Sequence, residues 1–501
     1  MFAVLIRSKE VQVPLKLIKH SASQTVIVVL NDLAISFASS IFAFLTMKKL
    51  VIILIVSCLG IVWLSFNTDD NKPVTIPASA QQKGNADSGY KYLVTGDYLK
   101  SGIPYKLYRS VSGKPANLLQ RNGDNKNVSY AFTAITSPNG QKLVAPNCLQ
   151  CHGEIFDGQL YIGLGNTSID FSVSKAAPKV GTYILDRLIS LNHKNYEASK
   201  NFLLSTRALA GKLTTNVQGV NAADHLAGIL VSHRDPVSLE WRKEPLFKLK
   251  EEVIPTDVPA WWMLKKKNAM FYNGFGRGDF ARFLMASNLL TVTDTSEAKE
   301  VYSHFDDVLA YLYTIEPPKY PKPINEQLAH SGKALFDKNC SKCHGTYGEK
   351  ETYPNLLIPA SIIKTDSALY VANYSQPEVI SWFNKSWFTT GATPAKLVPY
   401  KGYIAPPLDG VWITAPYFHN GSVPTLEGVL NSKVRPAFWS RDFKHPEYNY
   451  DIPGWQYTAY TSPKKKAYNT TLNGYGNYGH YFGDKLDERE RKAVIEYLKT
   501  L

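Results

Sequence analysis

A chain of 501 residues with 44% hydrophobic and 12% aromatic side chains carries enough apolar surface for two or three packed domains, which excludes a disordered protein. Its formal charge of +14 falls to +10 without residues 1–66, which hold six Lys/Arg and two Asp/Glu. The tight basic runs Lys265-Lys266-Lys267 and Lys464-Lys465-Lys466 read as solvated loop faces, so no nucleic-acid partner is expected; a basic surface suits an acidic redox partner or an anionic membrane.

Residues 1–46 place an apolar stretch, Val26 to Leu45, ahead of what reads as a complete export signal, and are taken as an over-long start; a second membrane segment is the alternative. Met47-Lys48-Lys49 and the apolar run Leu50 to Phe66 form a basic and then a hydrophobic region, so residues 47–66 are expected to be a signal peptide or an N-terminal membrane anchor. The run is at the short limit of a membrane span. Ile55-Val56-Ser57-Cys58 also resembles a lipoprotein box, but the apolar run continues past it. Residues 67–89 are polar, with Pro73, Pro77, Gly84 and Gly89, and read as a linker.

The body opens at Tyr90. Short alternations such as Tyr105-Lys106-Leu107-Tyr108 and Gln159-Leu160-Tyr161-Ile162 predict strands. Between them stands Asn147-Cys148-Leu149-Gln150-Cys151-His152-Gly153. Cys-x-x-Cys-His is the attachment motif of a c-type haem: two thiols join the vinyl groups and the adjacent histidine reaches the iron. From Ala177 to Leu230 the apolar spacing is helical, through Tyr183, Leu185, Leu188, Ile189, Phe202, Leu203, Leu209, Leu226, Ile229 and Leu230, and these helices are expected to wall the haem. Asp306 to Tyr313 predicts a further helix, stopped by Pro317-Pro318. Residues 90–316 are therefore read as a first haem domain.

The Pro-rich stretch 317–327 is a stiff connector. Residues 328–501 read as a cytochrome c-like domain. Leu328, Leu335 and Phe336 mark a helix leading into a second attachment motif, Asn339-Cys340-Ser341-Lys342-Cys343-His344-Gly345. Asp487 and Glu490 predict a capping box for a closing helix with Val494, Tyr497, Leu498 and Leu501 on one face. The aromatic-rich residues 350–480 suit long loops over a flat cofactor. The fold class expected is mainly α, two cytochrome c-like haem domains with long loops and short β elaborations. Four of the five cysteines are taken by two covalent haem c groups, leaving Cys58 and no disulfide framework. A shared zinc site of four thiolates is the alternative, but zinc gives no reason for His152 and His344 to follow both pairs. Haem c attachment occurs outside the cytoplasm, so a periplasmic or extracytoplasmic location is expected, with residues 50–66 as an anchor in one version.

The segment Pro416-Tyr417-Phe418-His419-Asn420-Gly421-Ser422-Val423-Pro424-Thr425-Leu426, following a second Cys-x-x-Cys-His, resembles the bacterial di-haem cytochrome c peroxidase superfamily. The tail, with Arg435-Pro436, Phe438 and Asn473-Gly474-Tyr475-Gly476-Asn477-Tyr478-Gly479-His480, is more similar to its haem-dependent rubber-oxygenase branch. The resemblance implies His152 and His344 as proximal ligands. It implies His480 as the distal ligand of the second haem, because no Met lies after Met285. His419 would be a structural neighbour of that haem. Trp261 or Trp262 would relay electrons between the haems, and Phe275 would stand in an apolar distal pocket of the first. His193, His225, His233, Phe271 and Phe280 are further candidates to line it; His225, His233 and Glu240 remain open as proton-transfer groups. Peroxide reduction with electrons from a small cytochrome c or cupredoxin is the expected activity. Oxidative cleavage of an apolar substrate by dioxygen and plain electron carriage are the alternatives, and calcium is an additional candidate ion.

Overall fold

The computed structural model describes residues 71–501; the expected signal or anchor, the over-long start and Cys58 lie outside the described residues. Several of the long helices begin where a short polar side chain can accept from an unpaired N–H of the first turn. Asn85 caps the helix Ala86–Thr95, Asn192 caps His193–Leu209, and Asn325 caps Glu326–Asn339. The closing helix Glu488–Leu498 has the reciprocal capping box of Asp487 and Glu490. It packs against Glu326–Asn339 at very short range: a Cβ on Gly332 would lie 1.8 Å from the carbonyl oxygen of Ala493. Only glycine permits that approach. Ala86–Thr95 packs as closely on Phe305–Thr314, where a Cβ on Gly89 would lie 1.9 Å from the Asp307 carbonyl oxygen.

The architecture is mixed and mostly helical, with short antiparallel sheets between the helices. One sheet orders Ile103–Pro104, Lys142–Pro146 and Phe132–Thr136. Another joins Val74–Thr75, Leu356–Pro359 and Gly402–Ile404, so chain ends far apart in sequence share one sheet. Gly153–Phe156 and Gln159–Ile162 form a hairpin whose turn residues Asp157 and Gly158 both have positive φ, 52° and 76°, as a two-residue hairpin turn requires. The strand expected over Tyr105 to Tyr108 is instead the start of the helix Tyr105–Val111. Four alternating residues fit either period, and burial of Tyr108 alone, against Phe132 with ring centroids 5.4 Å apart, satisfies the helix.

The helical region read from 177 to 230 forms as Ala176–Ser190, His193–Leu209 and Ala223–Ser232. The first of these buries only Ile189, and Tyr183 and Leu188 face outward. Residues 350–480 contain the short helices Ala368–Ser375 and Pro377–Asn384 as well as loops and strands.

Two large apolar clusters form the interior. One gathers Leu93, Leu143, Leu149, Trp261, Phe275, Phe280, Phe305 and Leu312; the other gathers Phe156, Trp262, Phe336, Trp412, Tyr417, Trp455 and Tyr497. The 3-10 turn Trp261–Lys266 contributes its first tryptophan to one and its second to the other. Long-range bonds cross the unit: Asn288 donates to the carbonyl of Tyr98, Arg441 to that of Thr167, and the Asn216 N–H to the hydroxyl of Tyr475. Residues 71–501 cluster as one unit. No helix among the described residues is long and apolar enough to cross a membrane.

Candidate haem c centres

The strand Lys142–Pro146 delivers the chain to Asn147, whose side chain donates to the Tyr130 carbonyl and the Thr133 hydroxyl and accepts from the N–H of Leu149. That fixes a one-turn helix, Leu149–His152, in which the N–H groups of Cys151 and His152 both donate to the Cys148 carbonyl. The thiols of Cys148 and Cys151 and the imidazole of His152 are thereby held in one short turn. The second motif repeats the device: Cys343 and His344 donate to the Cys340 carbonyl. Gly345 then leaves the turn at φ 82°, where a Cβ would lie 2.0 Å from the Thr352 carbonyl oxygen.

Burial pushes all four thiols up, Cys151 and Cys340 to about 11. Zinc needs thiolates, and Cys148 packs against one apolar cluster while Cys340 packs against the other. Among the described residues no three His, Cys, Asp or Glu side chains gather to hold a bare ion, so the shared zinc site is not formed.

The histidines fit haem better. Burial holds the His152 imidazole near 3, neutral at physiological pH, which is the state that binds a metal. One ring face stacks on Trp261, centroids 4.4 Å apart and planes 16° apart, and its Nδ1 is buried without a hydrogen-bond partner. His344 donates through Nδ1 to the carbonyl of Pro406 at 2.8 Å, which fixes the tautomer that leaves Nε2 free for a metal. Across from it stands His480. An imidazole binds a metal at about 2 Å, so two on opposite faces of one ion place their ring centroids roughly 6 Å apart; those of His344 and His480 are 6.2 Å apart. Burial first, then the charges of His344 and Arg435, lowers His480 to about 3.

His480 has φ 49° and follows Gly479 at φ 84°, a left-handed pair that needs outside support. Arg435 supplies it. Its guanidinium donates to the carbonyls of Gly428, Asn477, Gly479, Val429 and His480 and lies 5.0 Å from the centroid of Phe418. Arg435→Lys cannot reproduce that planar fork, so the haem-loaded variant is expected to show mixed coordination at the second centre in electron paramagnetic resonance, with the first centre unchanged. Neither Arg435 as a clamp nor the Pro406 carbonyl was singled out by sequence; the first appeared only as a marker of resemblance, and a backbone acceptor leaves no mark.

The other candidates scatter. His419 is buried, stacked on Tyr403 at 4.1 Å, with Nε2 3.1 Å from the Tyr403 hydroxyl. His225 is half-buried, its pKa lowered by burial and then by Lys212. His233 stacks on Trp241 and bonds the Arg242 carbonyl, Glu240 is held by Ser238, and His193 is exposed beside Glu197. Among the described residues, none of these side chains is ring-stacked on or hydrogen-bonded to His152 or Trp261. Phe275 lies in a run of rings, Phe275 to Phe271 at 5.0 Å, Phe271 to Phe283 at 5.7 Å and Phe283 to Phe383 at 5.2 Å. Phe280 is buried in the same cluster.

Trp262 donates through Nε1 to the Asp409 carbonyl at 2.8 Å. Asp257 was missed by sequence altogether: half-buried, it accepts from the Tyr272 hydroxyl at 2.7 Å and is pushed up to about 7 by burial. The folded state therefore holds this proton above the range of an unfolded aspartate, so its contribution to stability declines as pH rises from about 4 to about 7. Asp257→Asn is expected to flatten that slope in urea denaturation measured across the window.

A paired-cysteine turn with a fixed histidine, opposed by a second histidine, defines a haem c centre. Residues 402–440, which contain Pro406, His419 and Arg435, match the family model described as RoxA-like, cytochrome c-like, and a cytochrome c-like domain implies haem c. The chain is also 27% identical over 284 residues to the uncharacterized protein y4iM of Sinorhizobium fredii (strain NBRC 101917 / NGR234), covering 49% of this chain and 64% of that protein. It is 38% identical over 113 residues to the uncharacterized protein y4iJ of the same strain, covering 20% of this chain and 18% of that protein. The chain thus spans less than two thirds of each of these relatives.

Proposed function

We propose that the protein is an exported di-haem c oxidoreductase that reduces hydrogen peroxide at the centre built on His152, with electrons arriving through the centre between His344 and His480. The observation that carries this reading is the inequality of the two centres: one histidine is faced by a second imidazole, the other is backed by an indole. Haem c supplies one-electron exchange where both axial positions are filled and ligand binding where one is open. The chain's own residues set which is which. His344 and His480 close the second centre to small ligands, and Pro406 and Arg435 hold those two imidazoles in place. At the first, Trp261 fixes the His152 ring.

A continuous path joins them. The His152 ring lies on Trp261, Trp262 follows in the chain, its Nε1–H donates to the carbonyl of Asp409, and three residues earlier the Pro406 carbonyl accepts from His344. Trp262→Phe breaks this path at the hydrogen bond while keeping an aromatic ring. It is expected to cost about 1 kcal/mol of stability and to slow electron passage between the centres, read by stopped-flow absorbance after mixing reduced protein with peroxide. The donor suited to a basic protein is a small acidic cytochrome or cupredoxin.

The run of phenylalanines through Phe275 favours a second reading, dioxygen-dependent cleavage of an apolar substrate. Steady-state peroxide turnover with a reduced cytochrome donor tests the first; a stable oxygen complex in the isolated protein, without such turnover, would replace it by the second.

A further inference from the structure

The helix Ala176–Ser190 and the residue after it carry a feature the haem centres do not use. Val180, Tyr183, Ile184, Leu188 and Leu191 are all exposed, Tyr183 by 61% and Leu191 by 83%, and their spacing sets them on one face. The helix packs mainly on its neighbour His193–Leu209, and its 15 residues present a straight strip about 22 Å long. Soluble proteins scatter exposed apolar side chains; a contiguous strip marks a contact surface.

Charge identifies what covers it. Lys175, Lys179, Arg187, His193 and Lys194 are exposed around the strip. The acidic side chains nearby are largely engaged: Asp186 by Arg207, Glu197 beside His193, and Glu251 4.0 Å from Lys175. Lys179, Arg187 and Lys194 have no carboxylate partner among the described residues. Arg187 instead lies along Tyr183, its guanidinium 5.3 Å from the ring centroid and its Nε donating to the Tyr183 hydroxyl at 3.3 Å, the posture of a long cation extended over apolar surface. Aliphatic residues dominate the strip, whereas protein-binding hot spots favour Trp, Tyr and Arg over Leu and Val. An aliphatic face rimmed by unpaired cations is the composition of a helix lying in a lipid headgroup layer.

We infer that this face of Ala176–Ser190 rests on an anionic bilayer surface, with Val180, Ile184, Leu188 and Leu191 entering the acyl boundary and the cations among the phosphates. This contact is separate from any anchoring by residues 50–66 and independent of the activity at the haem centres.

Amide hydrogen exchange of the full-length, haem-loaded protein tests it locally. Peptides spanning 176–191 are expected to exchange more slowly with vesicles of phosphatidylcholine and phosphatidylglycerol than with phosphatidylcholine alone. The double variant Ile184→Ser, Leu188→Ser is expected to lose that protection, with exchange elsewhere unchanged, because each removed side chain weakens insertion about tenfold or more. Lys179→Glu with Arg187→Glu is expected to abolish the preference for the anionic lipid. The inference is overturned if anionic vesicles leave 176–191 unprotected, if neutral vesicles protect it equally, or if either variant behaves as the parent. Protection without vesicles that rises with protein concentration would assign the face to a second copy instead.

Discussion

His480→Ala, in haem-loaded protein, is expected to abolish the low-spin signal of a bis-imidazole centre and to reduce cytochrome-dependent peroxide turnover. The reduction should reach at least the roughly 10- to 100-fold seen when a ligand's outer partner is lost. The size follows from the absence of a substitute. His445, the nearest histidine in sequence, is exposed beside Asp442; the buried His419 is stacked on Tyr403 and bonded to its hydroxyl, and freeing it would break a buried contact. Phe418 and Phe482, whose rings lie 6.0 and 5.2 Å from that of His480, offer no ligand atom. The variant should still fold, because His480 contributes its backbone to the Arg435 clamp and to the bond with the Ile363 carbonyl whatever its side chain. An unchanged low-spin spectrum would remove His480 from the centre.

The largest effect on stability is expected from Gly332→Ala. The new methyl would meet the carbonyl oxygen of Ala493 at 1.8 Å, its carbon at 2.4 Å and the Cβ of Tyr497 at 3.0 Å, all on the closing helix. None of these is the end of a flexible side chain, so the two helices must part. Overpacking of this kind costs about 3 kcal/mol. The second attachment motif begins at the end of one of these helices, so the variant should also take up haem less completely at Cys340 and Cys343. Gly181→Ala provides the control: nothing lies within 4 Å of its Cβ, and the gain in helix propensity should stabilise by up to about 1 kcal/mol. Urea denaturation of both variants separates the steric effect from the intrinsic one.

These two positions also show what could be read from residues alone. The two Cys-x-x-Cys-His turns were legible as local spacings, and the capping box as a local hydrogen-bond pattern. The contact at Gly332 was not legible: a glycine inside a helix costs stability, and only the neighbour 161 positions later explains it. Tyr105 to Tyr108 was misread because four residues cannot separate a period of two from one of 3.6. That one face of Ala176–Ser190 points outward was not legible, because periodicity reports that one side is apolar, not which side meets the protein. Asp257, and the clamping role of Arg435, were not legible because they depend on a tyrosine hydroxyl and on backbone carbonyls brought in by loops.

The turn Trp261–Lys266 is also a mechanical tether. It is tethered at one end by the bond from the Trp261 N–H to the Gly163 carbonyl, and at the other by Lys266, which meets both Asp409 and Glu351. Residues 406–409 therefore touch both His344 and this turn, whose first indole stacks on His152. The two apolar clusters are thus joined through one short, tethered turn as well as through their packing.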